Sequence, residues 1–125
     1  MHKYVKKLLF GLLIWGIPFI VGSLIWDVEA GIPIVSVAWF NALMIFTWAI
    51  GFSIAAYFVF RDVKKKGAIK ECLSTGIFWY VEMVVLDVIF LVWVFSMAWA
   101  DYLPMLLTYL HVVFISTAIG YLKQK

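Results

Sequence analysis

The basic segment RDVKKKGAIK, residues 61–70, lies between two long apolar stretches and decides how this chain is organised. The remaining basic residues lie near the two ends of the chain, at positions 3, 6, 7, 123 and 125. All ten Lys and Arg residues therefore fall in three clusters. Because basic residues that flank membrane helices stay preferentially on the cytoplasmic side, this distribution predicts four spans with both termini in the cytoplasm.

The composition agrees with a membrane protein. Of the 125 residues, 66% are hydrophobic and only 14% are charged, which is more apolar surface than a soluble domain of this size hides. A span needs about 20 apolar residues, so four spans use nearly the whole chain. We therefore predict an all-α integral membrane protein of the cell membrane, with one domain over residues 1–125 and an up-down bundle of four helices, at residues 8–26, 32–60, 72–99 and 103–122.

The charge of the chain indicates lipid as the partner on the cytoplasmic side. The net charge of +3 comes from residues at helix ends, where anionic lipid headgroups and membrane orientation already explain them. We therefore predict that Lys64, Lys65 and Lys66 contact lipid headgroups, and we exclude nucleic acid as a partner. The single cysteine, Cys72, allows neither a disulfide within the chain nor a paired-cysteine metal site.

Two prolines lie in the predicted outer connections. Pro33 is expected in the first turn of the second span, where its missing N–H is harmless. Trp99 is expected to end the third span, and Asp101 and Pro104 are expected in the turn before the fourth. Small residues four apart, such as Gly51 and Ala55, predict that the second span packs centrally.

Two acids in the third span are the strongest candidates for function. Glu82 lies roughly 15 Å along the helix from Cys72, and Asp87 lies roughly 7 Å further. An ionised carboxylate at that depth costs about 2.5–3.5 kcal/mol, and keeping it protonated at neutral pH costs about as much. Since no Lys or Arg lies within a span, a proton, a polar neighbour or a visiting cation has to neutralise these acids.

Two further polar residues are predicted to join the acids. His111 in the fourth span and Asn41 in the second are expected at a depth similar to that of Asp87. An Asp–His pair stabilises both charged forms or passes a proton between them. The third span is expected to contact the second and fourth spans. The two acids are therefore expected to face these two spans separately, or one of them faces another subunit.

A structural interpretation stands beside the functional one. Buried polar residues in membrane helices often serve packing through hydrogen bonds between helices. This interpretation is the expectation for Asn41, Thr47, Ser53, Thr108, Ser116 and Thr117, and also for His111 taken alone. It is the alternative for Glu82 and Asp87, for which a functional role is favoured.

Proton- or cation-linked transport or permeation by a parallel oligomer is the leading functional hypothesis. The one-sided distribution of basic residues favours copies in the same orientation. The alternative is a non-catalytic membrane subunit that binds a partner protein or lipid, and a minor alternative is a metal or haem protein. No nucleophile–base pattern is present, so an enzyme is not favoured, and no cofactor or dedicated metal motif is predicted.

Overall fold

Four long helices make up nearly all of this protein. The computed structural model describes residues 2–94 and 96–125. The helices are α1, Lys3–Leu24; α2, Val37–Phe60; α3, Ala68–Asp87; and α4, Trp99–Gln124. A π-helical segment, Val88–Val94, continues α3 without a break. Each of the four helices, with α3 taken together with the π-helical segment, is long and apolar enough to cross a membrane, as predicted.

A short β-hairpin forms the connection between α1 and α2. Its strands, Trp26–Asp27 and Ile32–Pro33, pair antiparallel, with Gly31 at a φ of 68° in the turn between them. Helix α2 begins at Val37, since the Ser36 hydroxyl accepts a hydrogen bond from a main-chain N–H and caps the helix. The predicted start of the second span at residue 32, with Pro33 in its first turn, is therefore wrong.

The connection between α3 and α4 also differs from the prediction. The π-helical segment ends at Val94, and Ser96 has a φ of 57°, a left-handed conformation that a helix cannot contain. Helix α4 then begins at Trp99, so Trp99 starts the fourth helix instead of ending the third. Asp101 and Pro104 lie inside α4, in its first two turns, rather than in a turn before it.

Helices α1 and α3 each pack against two neighbouring helices. Helix α1 packs along α2 and also against α3, and α3 packs most extensively along α4. Gly120 of α4 allows the closest approach, because a Cβ there would lie 2.9 Å from the Ala68 carbonyl oxygen. A Cβ on Gly51 of α2 would likewise lie 3.2 Å from the Ile14 Cα of α1. The small residues of α2 thus serve a contact with α1, and α2 has the largest buried share of the four spans, in agreement with a central packing role.

Aromatic side chains connect α2 to the other half of the bundle. The Trp48 ring stacks on Tyr109 of α4 with ring centroids 6.4 Å apart. Phe52 meets the buried Trp79 of α3 edge-on at 6.0 Å. Because these rings are large, α2 reaches α3 and α4 through side chains while its backbone lies closer to α1.

The threonine hydroxyls of the spans are satisfied within their own helix. Thr47, Thr108 and Thr117 each donate to the carbonyl oxygen four residues earlier, at 2.7, 3.4 and 2.8 Å. Such back-bonding removes the need for a partner on another helix. The prediction that these threonines form hydrogen bonds between helices is therefore wrong. Ser116 packs against Gly76, but its hydroxyl has no hydrogen-bond partner among the described residues.

Ion pairs join helix ends that lie far apart in sequence. Glu71, near the start of α3, accepts Lys3 at 2.9 Å and the buried Lys7 at 3.0 Å, both from the start of α1. The indole N–H of Trp79 donates to the Lys7 carbonyl oxygen at 2.8 Å. Because Lys7 is buried, removing its partner Glu71 would leave an uncompensated buried charge and would cost more than breaking an exposed pair.

The end of α2 lies in the same group of contacts. Lys6 pairs with Asp62 at 2.8 Å, and the adjacent ammonium lowers the pKa of the Asp62 carboxyl. Lys123, near the end of α4, donates to the Phe60 carbonyl oxygen at 2.6 Å. The start of α1, the end of α2, the start of α3 and the end of α4 therefore meet.

Candidate functional site

Asp87 accepts hydrogen bonds from three aromatic side chains. The indole N–H of Trp15 donates to Oδ1 at 2.7 Å, and the Tyr109 hydroxyl donates to Oδ2 at 2.6 Å. The Tyr102 hydroxyl lies 3.4 Å from Oδ2 and is the weakest of the three donors. The residue is only 3% exposed, so this carboxyl group is buried, and both of its oxygens accept hydrogen bonds from protein donors.

The helices place these donors for simple geometric reasons. Tyr102 and Tyr109 are seven residues apart, so both lie on the face of α4 that is turned to α3. Trp15 comes from α1, and Asp87 is the last α-helical residue before the π-helical segment. One carboxylate thereby ties together three helices. Within the described residues, no group of three His, Cys, Asp or Glu side chains is placed to hold a metal ion.

His111 and Asn41 lie away from this carboxylate cluster. The His111 ring forms a hydrogen bond through Nδ1 with the Thr108 carbonyl oxygen and meets Trp48 edge-on, with ring centroids 4.0 Å apart. Asn41 is exposed near the start of α2. The predicted meeting of Asp87 with His111 and Asn41 is therefore wrong. Tyr109, two residues before His111, supplies the contact because it projects from a different side of α4.

Glu82 has the opposite environment. Both of its carboxyl oxygens are buried, and neither has a hydrogen-bond partner in the described part of the chain. The carboxyl group lies directly over Gly11 of α1, where any Cβ would overlap its oxygens. Gly11 therefore makes the space that this side chain occupies. An acid so placed is costly unless it carries a proton or meets a cation.

An open apolar groove runs along α1 and α3 beside Glu82. It encloses about 480 Å³, and apart from Glu82 its lining is entirely aliphatic or aromatic. The lining residues are Leu8, Leu12, Phe78, Val81, Glu82, Val85 and Leu86. The two predicted acids therefore have different environments. Asp87 accepts hydrogen bonds from three side chains, whereas Glu82 has no hydrogen-bond partner among the described residues and lies beside the groove. On α3, these two acids face mainly α1 and α4, whereas the sequence predicts that they face the second and fourth spans.

Sequence reasoning missed the residues that surround the two acids. Gly11 and Trp15 are one turn apart on α1, and each faces one of the acids of α3. The seven-residue spacing of Tyr102 and Tyr109 was a usable signal, because both hydroxyls come from one helix face. Which acid they face depends on the rotation of α4 about its axis, and no pattern in the sequence shows that rotation.

The three predicted lipid-binding lysines lie on the surface. Lys64, Lys65 and Lys66 are exposed in the connection between α2 and α3. Their side chains are thus accessible to a headgroup, and their role remains a prediction.

Comparison with known proteins identifies no relative. Neither protein-family models, nor curated proteins, nor solved structures match this chain. Its function is therefore argued from the two acids and their surroundings.

Proposed function

We propose that this protein transports protons or small cations across the cell membrane as a parallel oligomer, with Glu82 as the group that takes up and releases the ion. One observation carries the proposal: the Glu82 carboxyl is buried without a hydrogen-bond partner among the described residues. It lies roughly 20 Å along α3 from Ala68, near the middle of a span. Ionisable residues at such depth typically mark ion pathways or proton relays.

The orientation that we infer is an up-down bundle with both termini in the cytoplasm. The ten Lys and Arg residues in three clusters support it, because basic flanks stay inside. The pairs Lys3–Glu71 and Lys6–Asp62 support it as well, since they join clusters from different parts of the chain. In this orientation Lys64, Lys65 and Lys66 meet anionic headgroups, and the one-sided charge favours parallel copies.

The two acids receive different roles in this proposal. Asp87 is a structural anchor, because three donors already stabilise its carboxylate. Glu82 is the titrating group, because a proton is the simplest way to neutralise it. His111 and Asn41, away from Asp87 and not among the residues that line the groove, receive no part in the ion path. Four helices enclose little room, so copies of the chain complete the path between them.

Flux measurements in liposomes test the proposal. Wild-type protein should pass protons, Na⁺ or K⁺ down an imposed gradient, and Glu82→Gln should abolish this flux without loss of stability, since no hydrogen bond is removed. Gly11→Ala should also reduce the flux, because the new Cβ displaces the carboxyl group. Lys65→Gln is a matched surface control and should leave flux unchanged. Absence of wild-type flux under every gradient would refute the proposal.

A second candidate is a non-catalytic membrane subunit that binds a partner protein or lipid. The open apolar groove along α1 and α3 favours it, because a partner helix or acyl chain can cover such a surface. This alternative predicts no flux from the wild type. It predicts instead that groove substitutions such as Val85→Trp remove a co-purifying protein or lipid, while Lys70→Gln, at an exposed lysine outside the groove, does not.

A further inference from the structure

The groove beside Glu82 has the size of a small-molecule site. Its volume of about 480 Å³ is large enough for a small molecule, which would remain exposed on the open side of the groove. Six apolar side chains and one carboxylic acid line it. A largely apolar lining with one placed polar group is the usual composition of such a site.

Other charged groups near Glu82 are already engaged. On α1, Lys7 is paired with Glu71 at 3.0 Å. On α3, Asp87 is occupied by Trp15 and its tyrosine donors. The remaining groove residues on both helices are uncharged. The protein therefore provides no positive partner for Glu82 within the described residues that line the groove, and a ligand is free to provide one.

The chemistry of the groove selects among possible cations. A bare divalent ion such as Ca²⁺ needs six to eight oxygen ligands, whereas Glu82, whose oxygens are buried over Gly11, can offer at most two after its side chain turns toward the groove. A neutral acyl chain fills the apolar walls but leaves the acid unpaired. An organic cation with an apolar body satisfies both requirements, and the Phe78 ring adds a surface that attracts positive charge.

We propose that the groove between α1 and α3 binds a hydrophobic monovalent organic cation in exchange for the proton of Glu82. This inference rests on the proposed role of Glu82 as the titrating group and names the class of substrate. The carboxyl group lies over Gly11 in the structure, and we assign this position to the proton-bound state. When the cation enters, the proton leaves to water and the carboxylate turns about its side-chain bonds toward the groove. Return of a proton releases the cation.

Binding of tetraphenylphosphonium to the protein in phosphatidylcholine nanodiscs tests this inference, with empty nanodiscs subtracted. Wild type should bind saturably and release up to one proton per cation. The affinity should fall by about tenfold per pH unit on the acid side of the Glu82 titration. Glu82→Gln should weaken binding at least about tenfold. Val85→Trp should also weaken binding by filling the groove, and Lys70→Gln, at an exposed lysine away from the groove, should not. Tetraphenylborate, of the same shape and opposite charge, should show no saturable binding.

Three results would overturn the inference: no saturable binding by the wild type, equal binding by wild type and Glu82→Gln, or equal binding by wild type and Val85→Trp. The Val85→Trp comparison keeps the test decisive if Glu82→Gln fails to fold. The outcome is separable from the proposed transport function. If proton flux depends on Glu82 but tetraphenylphosphonium does not bind, the organic-cation site is refuted and proton transport still stands. If binding depends on Glu82 but no flux is measured, the site is supported and transport is refuted.

Discussion

Removing the hydroxyl of Tyr109 should destabilise the bundle more than removing any other tyrosine hydroxyl that the structure shows hydrogen-bonded. Tyr109→Phe deletes a 2.6 Å hydrogen bond to the buried Asp87 carboxylate. Hydrogen bonds between membrane helices average about 0.6 kcal/mol in double-mutant cycles. A bond to an ionised acceptor is roughly twice as strong as one between neutral groups, so we expect a loss of about 1–2 kcal/mol. Tyr102 is too distant, at 3.4 Å, to replace the lost donor fully.

Tyr80→Phe is the matched control for this change. The Tyr80 hydroxyl donates at 2.9 Å to the Leu106 carbonyl oxygen, a neutral acceptor at the same α3–α4 interface. Its removal should cost about 0.6 kcal/mol. Reversible unfolding in mixed micelles of dodecyl maltoside and sodium dodecyl sulfate, followed by tryptophan fluorescence, compares the two variants with wild type. If Tyr109→Phe costs no more than Tyr80→Phe, Asp87 is not the charged anchor that we describe.

A double-mutant cycle locates the effect at Asp87. In the Asp87→Asn background, the side chain carries no charge, and its single carbonyl oxygen can accept from Trp15 or from Tyr109 but not from both. Tyr109→Phe should then cost less than in the wild type, which gives a coupling of about 1 kcal/mol between the two residues. If the losses in unfolding free energy of the two single variants add up to that of the double variant, the contribution of Tyr109 does not come from its contact with Asp87.

Two other predictions concern packing and pH. Gly120→Ala should lower the free energy of unfolding by about 1–3 kcal/mol in the same assay, because its Cβ meets Ala68 and Ile69 backbone atoms at 2.9 Å. Gly16→Ala, with open space around it, is the control and should stay within about 1 kcal/mol of wild type. Equal losses in the two variants would refute the close helix approach. Because Lys6 lowers the pKa of Asp62 below 3.8, the pair stabilises the protein above that value and loses this contribution as the pH falls through the lowered pKa. Carbon-13 NMR should show the Asp62 midpoint rising in Lys6→Ala, and an unchanged midpoint would contradict the pairing.

The α1–α2 and α3–α4 connections show where sequence reasoning fails. Pro33 suits a helix start, yet Ser36 caps α2 because its hydroxyl satisfies a free N–H. Trp99 suits the end of a span at the membrane interface, yet it begins α4. In both cases the same residue type is common just inside and just outside a helix end. The choice depends on local hydrogen bonds and on how the two helices approach each other.

The candidate site was predictable in its acids and not in their partners. Glu82 and Asp87 stand out in the sequence, because a carboxylate within an apolar span is costly wherever it faces. Their environments are nevertheless opposite, with donors around Asp87 and a space made by Gly11 around Glu82. Tyr109 and His111 are only two residues apart but differ by about 200° around the helix axis. Only one of them can contact Asp87.

The sequence by itself determined four membrane-length helices and two costly acids. These follow from hydropathy and charge along the chain, and such properties do not depend on how the helices are arranged. The tertiary structure decided that α1, rather than α2, lies beside α3, and that Asp87 is saturated while Glu82 is not. The physical reason is that the lipid makes apolar faces nearly equivalent. The rotation and pairing of the helices are therefore set by close packing at small residues and by a few buried hydrogen bonds.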